Sequence, residues 1–292
     1  MCRLLAYKGA PTSMNKLLYE PKNSIIHQSY DAHEIEEPLN GDGFGVGWYT
    51  PEIGPDPAVF VSVQPAWSNR NLRYISPVIK SPCILAHVRA ASFGDTSEAN
   101  CHPFHSGQFL MMHNGSIEGF DAIKRELRHR LSDESYNWVK GQTDSEHFFA
   151  LFLDHIRARG AHPSLHEIAD ALETTTCEVE ALKRARHVED VTYLNAVVTD
   201  GKSLVATRYC SNPSEEPPSL YYSSGSRYVC EGRTCRMVQA DPSEHAVLVV
   251  SEKLTAREHD WHKVPAGHMV LVDSASTVTL RKLAVDQERA SA

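Results

Sequence analysis

Cys2 stands directly behind Met1 and ahead of Arg3 and the apolar run Leu4-Leu5-Ala6. Removal of Met1, which the small side chain at position 2 permits, leaves a thiol and a free α-amine on one residue. Such an amine has a pKa of about 7.7–8.0, so part of it is neutral near pH 7. The neutral amine can take the thiol proton directly or through one water, the N-terminal form of nucleophile activation, and needs no histidine.

Other groups fit an acyl-transfer reaction at such a thiol. His113-Asn114-Gly115 follows a strand-like run, Gln108 to His113, and reads as a turn. The Asn114 amide and the Gly115 N–H would form a two-donor oxyanion hole, in which each donor is worth roughly 3 kcal/mol. Asn-Gly is equally the signature of a plain hairpin. Arg89 ends the apolar run Cys83 to Val88, where a guanidinium can grip a carboxylate through two parallel hydrogen bonds or form a surface ion pair. Asp144 lies in Thr143-Asp144-Ser145-Glu146, which has the form of a capping box. There it either complements the helix dipole or holds a substrate ammonium.

Metal and nucleotide chemistry find less support. Cys101, His102, His105 and His113 do not match zinc-ligand spacing, and no metal or cofactor is expected. The glycines of Gly41-Asp42-Gly43-Phe44-Gly45-Val46-Gly47 fall inside a strand pattern rather than between a strand and a helix, unlike a dinucleotide fingerprint.

These residues need elements to hold them. Cys2 to Tyr7 reads as a strand; in Asp42 to Tyr49, Phe44, Val46 and Trp48 share one face and the glycines leave the other bare. Further strands are expected over 58–64, 83–89 and 108–113. The middle is helical: Ile123, Leu127 and Leu131 mark a stripe within 119–131, the run Phe148 to Leu153 a buried helix, and 163–186 another. Strands return over 194–199, 203–209, 220–223, 246–251, 268–273 and 277–282, with a Pro-rich loop at 211–218. Strands, then helices, then strands predict an α+β layered fold. With no long linker, residues 1–292 read as one domain.

The composition, 41% hydrophobic and 23% charged over 292 residues, is that of a soluble globular protein. A net charge of −8 with scattered Lys and Arg excludes a nucleic-acid binder. No apolar run approaches the roughly 20 residues that span a bilayer, so no membrane partner is expected. Seven cysteines at irregular spacings, with Cys230 and Cys235 in a loop, predict free thiols and a cytoplasmic protein.

Together the motifs Met1-Cys2-Arg3, Asn40 to Gly45, Ala86-His87-Val88-Arg89-Ala90, His113-Asn114-Gly115 and Thr143 to Glu146 make the chain resemble class II glutamine amidotransferases. It is most similar to the stand-alone branch that cleaves γ-glutamyl amides, in glutathione degradation and ergothioneine synthesis. Residues 1 to about 155 carry nearly all of the likeness. The runs Ser24 to Ser29, Ser97 to Phe104 and Phe149 to Asp154 lean towards the glutathione-degrading subunit. The resemblance implies an N-terminal nucleophile hydrolase fold, an αββα sandwich of two mostly antiparallel sheets. It implies Cys2 as nucleophile with its own amine as base, and Asn114 and Gly115 as oxyanion hole. Arg89 would bind the α-carboxylate and Asp144 the α-ammonium of the γ-glutamyl group, with Ser92 and Asp42 completing the substrate-binding set. The expected partner is a small γ-glutamyl compound, beside which a separate peptidase-like or synthase subunit is conceivable. Two rival readings are a glutaminase subunit feeding ammonia to a synthase and a non-catalytic regulatory protein on the same fold. Ala90, where many glutamine-using relatives carry an aromatic residue, leaves the pocket wall less filled and so points to a leaving group bulkier than ammonia.

Overall fold

A computed structural model describes residues 2–34, 38–91, 94–232, 234–239 and 244–285. Along the chain come β1 (Arg3–Ser13), α1 (Met14–Leu18), α2 (Ile25–Gln28), β2 (Phe44–Trp48), β3 (Ala58–Ser62), α3 (Arg70–Ile75) and β4 (Lys80–Val88). Next are β5 (Phe104–Ser106), β6 (Phe109–Ile117), α4 (Phe120–Arg130), α5 (Asp133–Trp138), α6 (Asp144–Arg157) and α7 (Leu165–Ala185). The last third holds β7 (Thr192–Thr199), β8 (Leu204–Cys210), β9 (Tyr221–Gly225), β10 (Arg227–Glu231), β11 (Thr234–Val238), β12 (Ala246–Val250), β13 (His262–Lys263), β14 (His268–Val272) and β15 (Val278–Lys282).

The strands form a seven-stranded sheet, β13-β9-β12-β1-β4-β2-β3, and a six-stranded sheet, β15-β14-β8-β7-β6-β5, with β10 and β11 as a separate hairpin. Every pairing is antiparallel. Strand alternation then sorts the apolar residues into three cores. Leu4, Ala6, Leu85, Leu110, Met112, Val197 and Val249 fill the layer between the sheets. Leu5, Tyr7, Phe44, Val46 and Ile84 face outward against α1 and α2. Met111, Leu194, Ala196 and Val198 pack under Ile123 and Leu127 of α4, Phe149 and Phe152 of α6 and Leu172 of α7. The layers therefore run αββα, as expected of the N-terminal nucleophile hydrolases.

Three expectations need correction. β1 runs on past Tyr7 to Ser13, because its register with β4 shifts between Lys8 and Thr12 and so absorbs Gly9-Ala10-Pro11 without ending the strand. Cys230 and Cys235 are not loop thiols: they face each other across the β10–β11 hairpin as a disulfide, while Cys2, Cys83, Cys101, Cys177 and Cys210 remain thiols. The third concerns His113-Asn114-Gly115 and is described with the site. Among the described residues no helix is long and apolar enough to cross a membrane.

Candidate active site

Cys2 immediately precedes β1 and shares the parity of Leu4 and Ala6, so it faces the layer between the sheets. It is half-buried, and its Sγ donates to the Ala90 carbonyl at 3.5 Å. Burial pushes the thiol above its ordinary pKa, while the Ala90 contact, Arg89 and Arg3 pull it down. A thiol held up in this way needs a base to become a nucleophile.

Arg89 follows β4, and β4 pairs with β1 so that Arg3 lies opposite Val88 and Leu4 opposite His87. The buried Arg89 guanidinium donates to the Asp95 carbonyl at 3.4 Å. Its main chain is fixed on both sides: Arg89 N–H donates to Gly43 O at 2.9 Å, and Arg89 O accepts from Asp42 N–H at 3.0 Å. The Asp42 carboxylate accepts the Ala91 N–H at 2.8 Å. Asp42 thus shapes the turn whose Ala90 carbonyl holds the Cys2 thiol, and Cys2, Asp42 and Arg89 form one cluster. Ser92 lies outside the described residues.

His113-Asn114-Gly115 is not a turn. All three residues sit within β6, opposite Ala196, Asn195 and Leu194 of β7. The Asn-Gly preference is local, and a ladder running from Leu110 to Ile117 overrides it. β5 ends opposite Met111, which leaves β6 with an open edge beyond that point. At this edge the Ile117 N–H donates to Asp144 Oδ2 at 2.7 Å. Alternate N–H groups of a strand point the same way, so the Gly115 N–H faces this edge as well. A Cβ on Gly115 would collide with the Tyr193 carbonyl oxygen, so the close approach of β7 requires glycine. Asn114 has the parity of Leu110 and Met112 and faces the inter-sheet layer. Its side chain is 0% exposed, and neither its Oδ1 nor its Nδ2 has a hydrogen-bond partner. An unpaired buried polar group costs about 1–3 kcal/mol, and native proteins carry few.

Asp144 is the first residue of α6 and is buried. Besides Ile117 N–H, it accepts Ser145 N–H at 2.7 Å and the Ser145 hydroxyl at 3.1 Å, both on Oδ1. Among the described residues no cation pairs with it, so the carboxylate is a ready seat for one. The capping box is half-formed: Thr143 Oγ1 accepts Glu146 N–H at 3.2 Å, but the Glu146 carboxylate turns away to Lys140 N–H at 2.7 Å and Gly141 N–H at 2.9 Å.

Two residues without a role in the sequence reading join these clusters. Asn100 donates to Asp95 O at 2.9 Å and accepts Gln142 N–H at 3.0 Å, tying the segment beside Arg89 to the one that leads into Asp144. His87 reaches across from β4, its Nε2 bonding the His113 carbonyl at 3.2 Å. A carbonyl only accepts, so Nε2 carries the proton. Burial drives the pKa of His87 down to about 3 and keeps the ring neutral. Since His87 lies opposite Leu4 and its acceptor precedes Asn114, Cys2 and Asn114 face the same layer at the same end of the sandwich. The sequence signal for His87 was a lone histidine inside an apolar strand.

Among the described residues no group of three His, Cys, Asp or Glu is placed to hold a metal. Cys101 instead donates to Ser97 O at 3.5 Å and Ser62 O at 3.7 Å.

Comparison with known proteins bears on this geometry. The family model described as class II glutamine amidotransferases matches residues 13–224. A probable glutamine amidotransferase of Saccharomyces cerevisiae, DUG3, is 38% identical over 292 residues, which is 93% of this chain and 82% of the relative. A γ-glutamyl-hercynylcysteine sulfoxide hydrolase of Mycolicibacterium smegmatis is 30% identical over 212 residues, 72% of this chain and 79% of the relative. The solved structure of a glutamine aminotransferase class-II domain protein from Silicibacter pomeroyi superposes with a TM-score of 0.66 at 28% identity, covering 97% of this chain and 100% of that one.

Proposed function

The chain belongs to the class II glutamine amidotransferases, and from that premise we propose that it hydrolyses the γ-amide of a small γ-glutamyl compound through a Cys2 thioester. Once Met1 is removed, the Cys2 amine takes the thiol proton and Sγ attacks the γ-carbonyl carbon. The carbonyl oxygen becomes an oxyanion held by Asn114 Nδ2 and the Gly115 N–H. The C–N bond then breaks, and the departing amine takes the proton back from the α-ammonium of Cys2. Water, deprotonated by the same amine, attacks the thioester and releases glutamate and the thiol. The glutamyl head is a zwitterion: Arg89 meets its carboxylate and Asp144 its ammonium. Asp42 keeps the Ala90 turn in register with the thiol, and Ser92 joins the substrate-binding set.

The observation that carries this reading is Asn114: a wholly buried amide with no partner, beside an edge N–H, on the strand face shared with Cys2. The substrate class is supported by the mycolicibacterial relative, which is named for a γ-glutamyl compound with a leaving group larger than ammonia, and by the small side chain of Ala90. Pairing of β1 with β12 as well as β4 supports reading the chain as one unit. The test is glutamate release from glutathione and other γ-glutamyl amides, run beside Cys2→Ala, with intact mass confirming loss of Met1. Turnover by the processed enzyme and none by Cys2→Ala is expected. Equal activity in the variant overturns the mechanism, and free glutamine turning over faster than every γ-glutamyl peptide overturns the substrate class.

A further inference from the structure

Asn195 lies directly opposite Asn114 in the β6–β7 ladder. It shares the parity of Val197, so its side chain faces the same inter-sheet layer, and it is 0% exposed. Its Nδ2 donates to Pro218 O and to Ser219 O, each at 3.1 Å. Both partners are carbonyls, so the nitrogen must face them and the amide cannot be turned over. Oδ1 is therefore held on the other side, and it has no partner. Anchoring the Pro218–Ser219 crossing explains the nitrogen and leaves the oxygen unexplained. The crossing is in any case secured by Arg208, which donates to Pro218 O at 3.0 Å, Pro217 O at 2.7 Å and Val264 O at 3.0 Å.

Directly opposed residues of an antiparallel pair have Cβ atoms about 4.5–5.5 Å apart, which puts the fixed acceptor of Asn195 within a side chain's reach of the Asn114 amide. The C=O and N–H of a secondary amide point to opposite sides, so an amide bond lying between the two side chains would meet a donor for its oxygen at Asn114 and an acceptor for its N–H at Asn195. We propose that Asn195 is a specificity-determining residue whose Oδ1 accepts the N–H of the scissile γ-amide. The inference rests on the γ-glutamyl reading above. An ester offers an oxygen where the amide has its N–H, and that oxygen leaves Oδ1 unpaired. Sites that hydrogen-bond a substrate N–H reject analogues lacking it for this reason.

The experiment compares kcat/KM for γ-glutamyl methylamide and γ-glutamyl methyl ester. In Asn195→Ala the amide-to-ester ratio falls about tenfold or more. An equal fall for both substrates in Asn195→Ala, the pattern of a merely structural residue, overturns the proposal. The wild type gives a second readout that does not depend on any variant folding. γ-Glutamyl dimethylamide, which keeps the carbonyl and lacks the N–H, turns over at least about tenfold more slowly than the methylamide; equal rates overturn the proposal. Wild-type enzyme silent towards every one of these substrates overturns the γ-glutamyl reading itself, whereas turnover with an unchanged ratio in Asn195→Ala removes only the role of Asn195.

Discussion

Helices α6 and α7 open on the same four-residue pattern, Thr143-Asp144-Ser145-Glu146 and Ser164-Leu165-His166-Glu167, and the two use it differently. At α7 the pattern closes on itself: Ser164 Oγ accepts Glu167 N–H at 3.3 Å, and the Glu167 carboxylate accepts Ser164 N–H at 2.8 Å. Ser164 is exposed, and among the described residues the Ser164 and Glu167 side chains hydrogen-bond only within their own turn. At α6 only the Thr143 half forms, and the other polar side chains also reach beyond the helix. Glu146 serves Lys140 and Gly141, Asp144 serves Ile117, and the Ser145 hydroxyl meets His113 Nδ1 at 2.8 Å. One N-terminus serves its own helix; the other joins its helix to β6. Sequence pattern fixes where a helix begins, and what the flanking chain brings within reach decides whether its carboxylates serve the helix or a ligand.

The comparison breaks most readily at Asp144. Asp144→Asn removes the charge and keeps the shape, and should lower kcat/KM for γ-glutamyl substrates by about 100-fold or more, as loss of one partner of a buried charge pair does. Activity within threefold of wild type would make Asp144 an ordinary first-turn carboxylate.

Acid sharpens the contrast next. His147 of α6 donates from Nδ1 to the Thr143 carbonyl at 2.7 Å, and burial lowers its pKa to about 4; that of His87 falls to about 3. An unfolded imidazole titrates near 6.5, so between these values the unfolded chain binds more protons. The stability they confer is whole above about pH 6.5 and declines as pH falls towards 4 and 3. The Glu167 carboxyl of α7 is also held below its usual range, by the Ser164 N–H and hydroxyl, so its contribution is whole above the ordinary glutamate pKa of about 4.3 and is lost only as pH falls below that. From pH 7 to pH 5, His147 alone should cost about 2 kcal/mol in urea unfolding, and His147→Gln should flatten the slope. A wild-type midpoint unchanged over that range rules this out.

The smallest effects separate cap from site. Thr143→Ala and Ser164→Ala should each lower stability by about 1 kcal/mol. Thr143→Ala should also reduce kcat/KM about tenfold, because Asp144 loses its fixed start to the helix. Ser164→Ala should leave kcat/KM within about twofold. Matching kinetics for the two variants would erase the distinction between the termini.

Much of this was legible in the residues. The four-residue recurrence of Ile123, Leu127 and Leu131 fixes α4 because burial on one face has to follow the helical period, and Phe44, Val46 and Trp48 fix β2 by the same logic at period two. Cys2, Arg89, Asn114 and Asp144 stand out because each has a chemistry its neighbours lack. The misses share a physical cause. Asn114-Gly115 carries a strong local turn preference, and only a distant partner, β7, converts it into strand. Cys230 and Cys235 become opposed only through hairpin pairing. α1, α2 and α3 are too short to display a period. His87 and Asn195 look like single polar interruptions of apolar runs, and their value lies in what faces them.

The glycines of β2 have a consequence for how this enzyme can change. A Cβ at Gly45 would run into the His102 carbonyl oxygen, and one at Gly47 would lie 2.7 Å from Leu110 Cδ1. His102 in turn rests on the His87 ring, with centroids 4.3 Å apart. This face of β2 is thus bare backbone, and a methyl group at Gly45 would have to push back the His102 main chain, whose ring packs on His87. Changes in substrate preference are then expected where side chains can vary, at Asn195 and in the segments at Ala90, Ala91 and the Pro-rich crossing. Directed evolution for a different leaving group is best confined to those positions, with β2 left untouched.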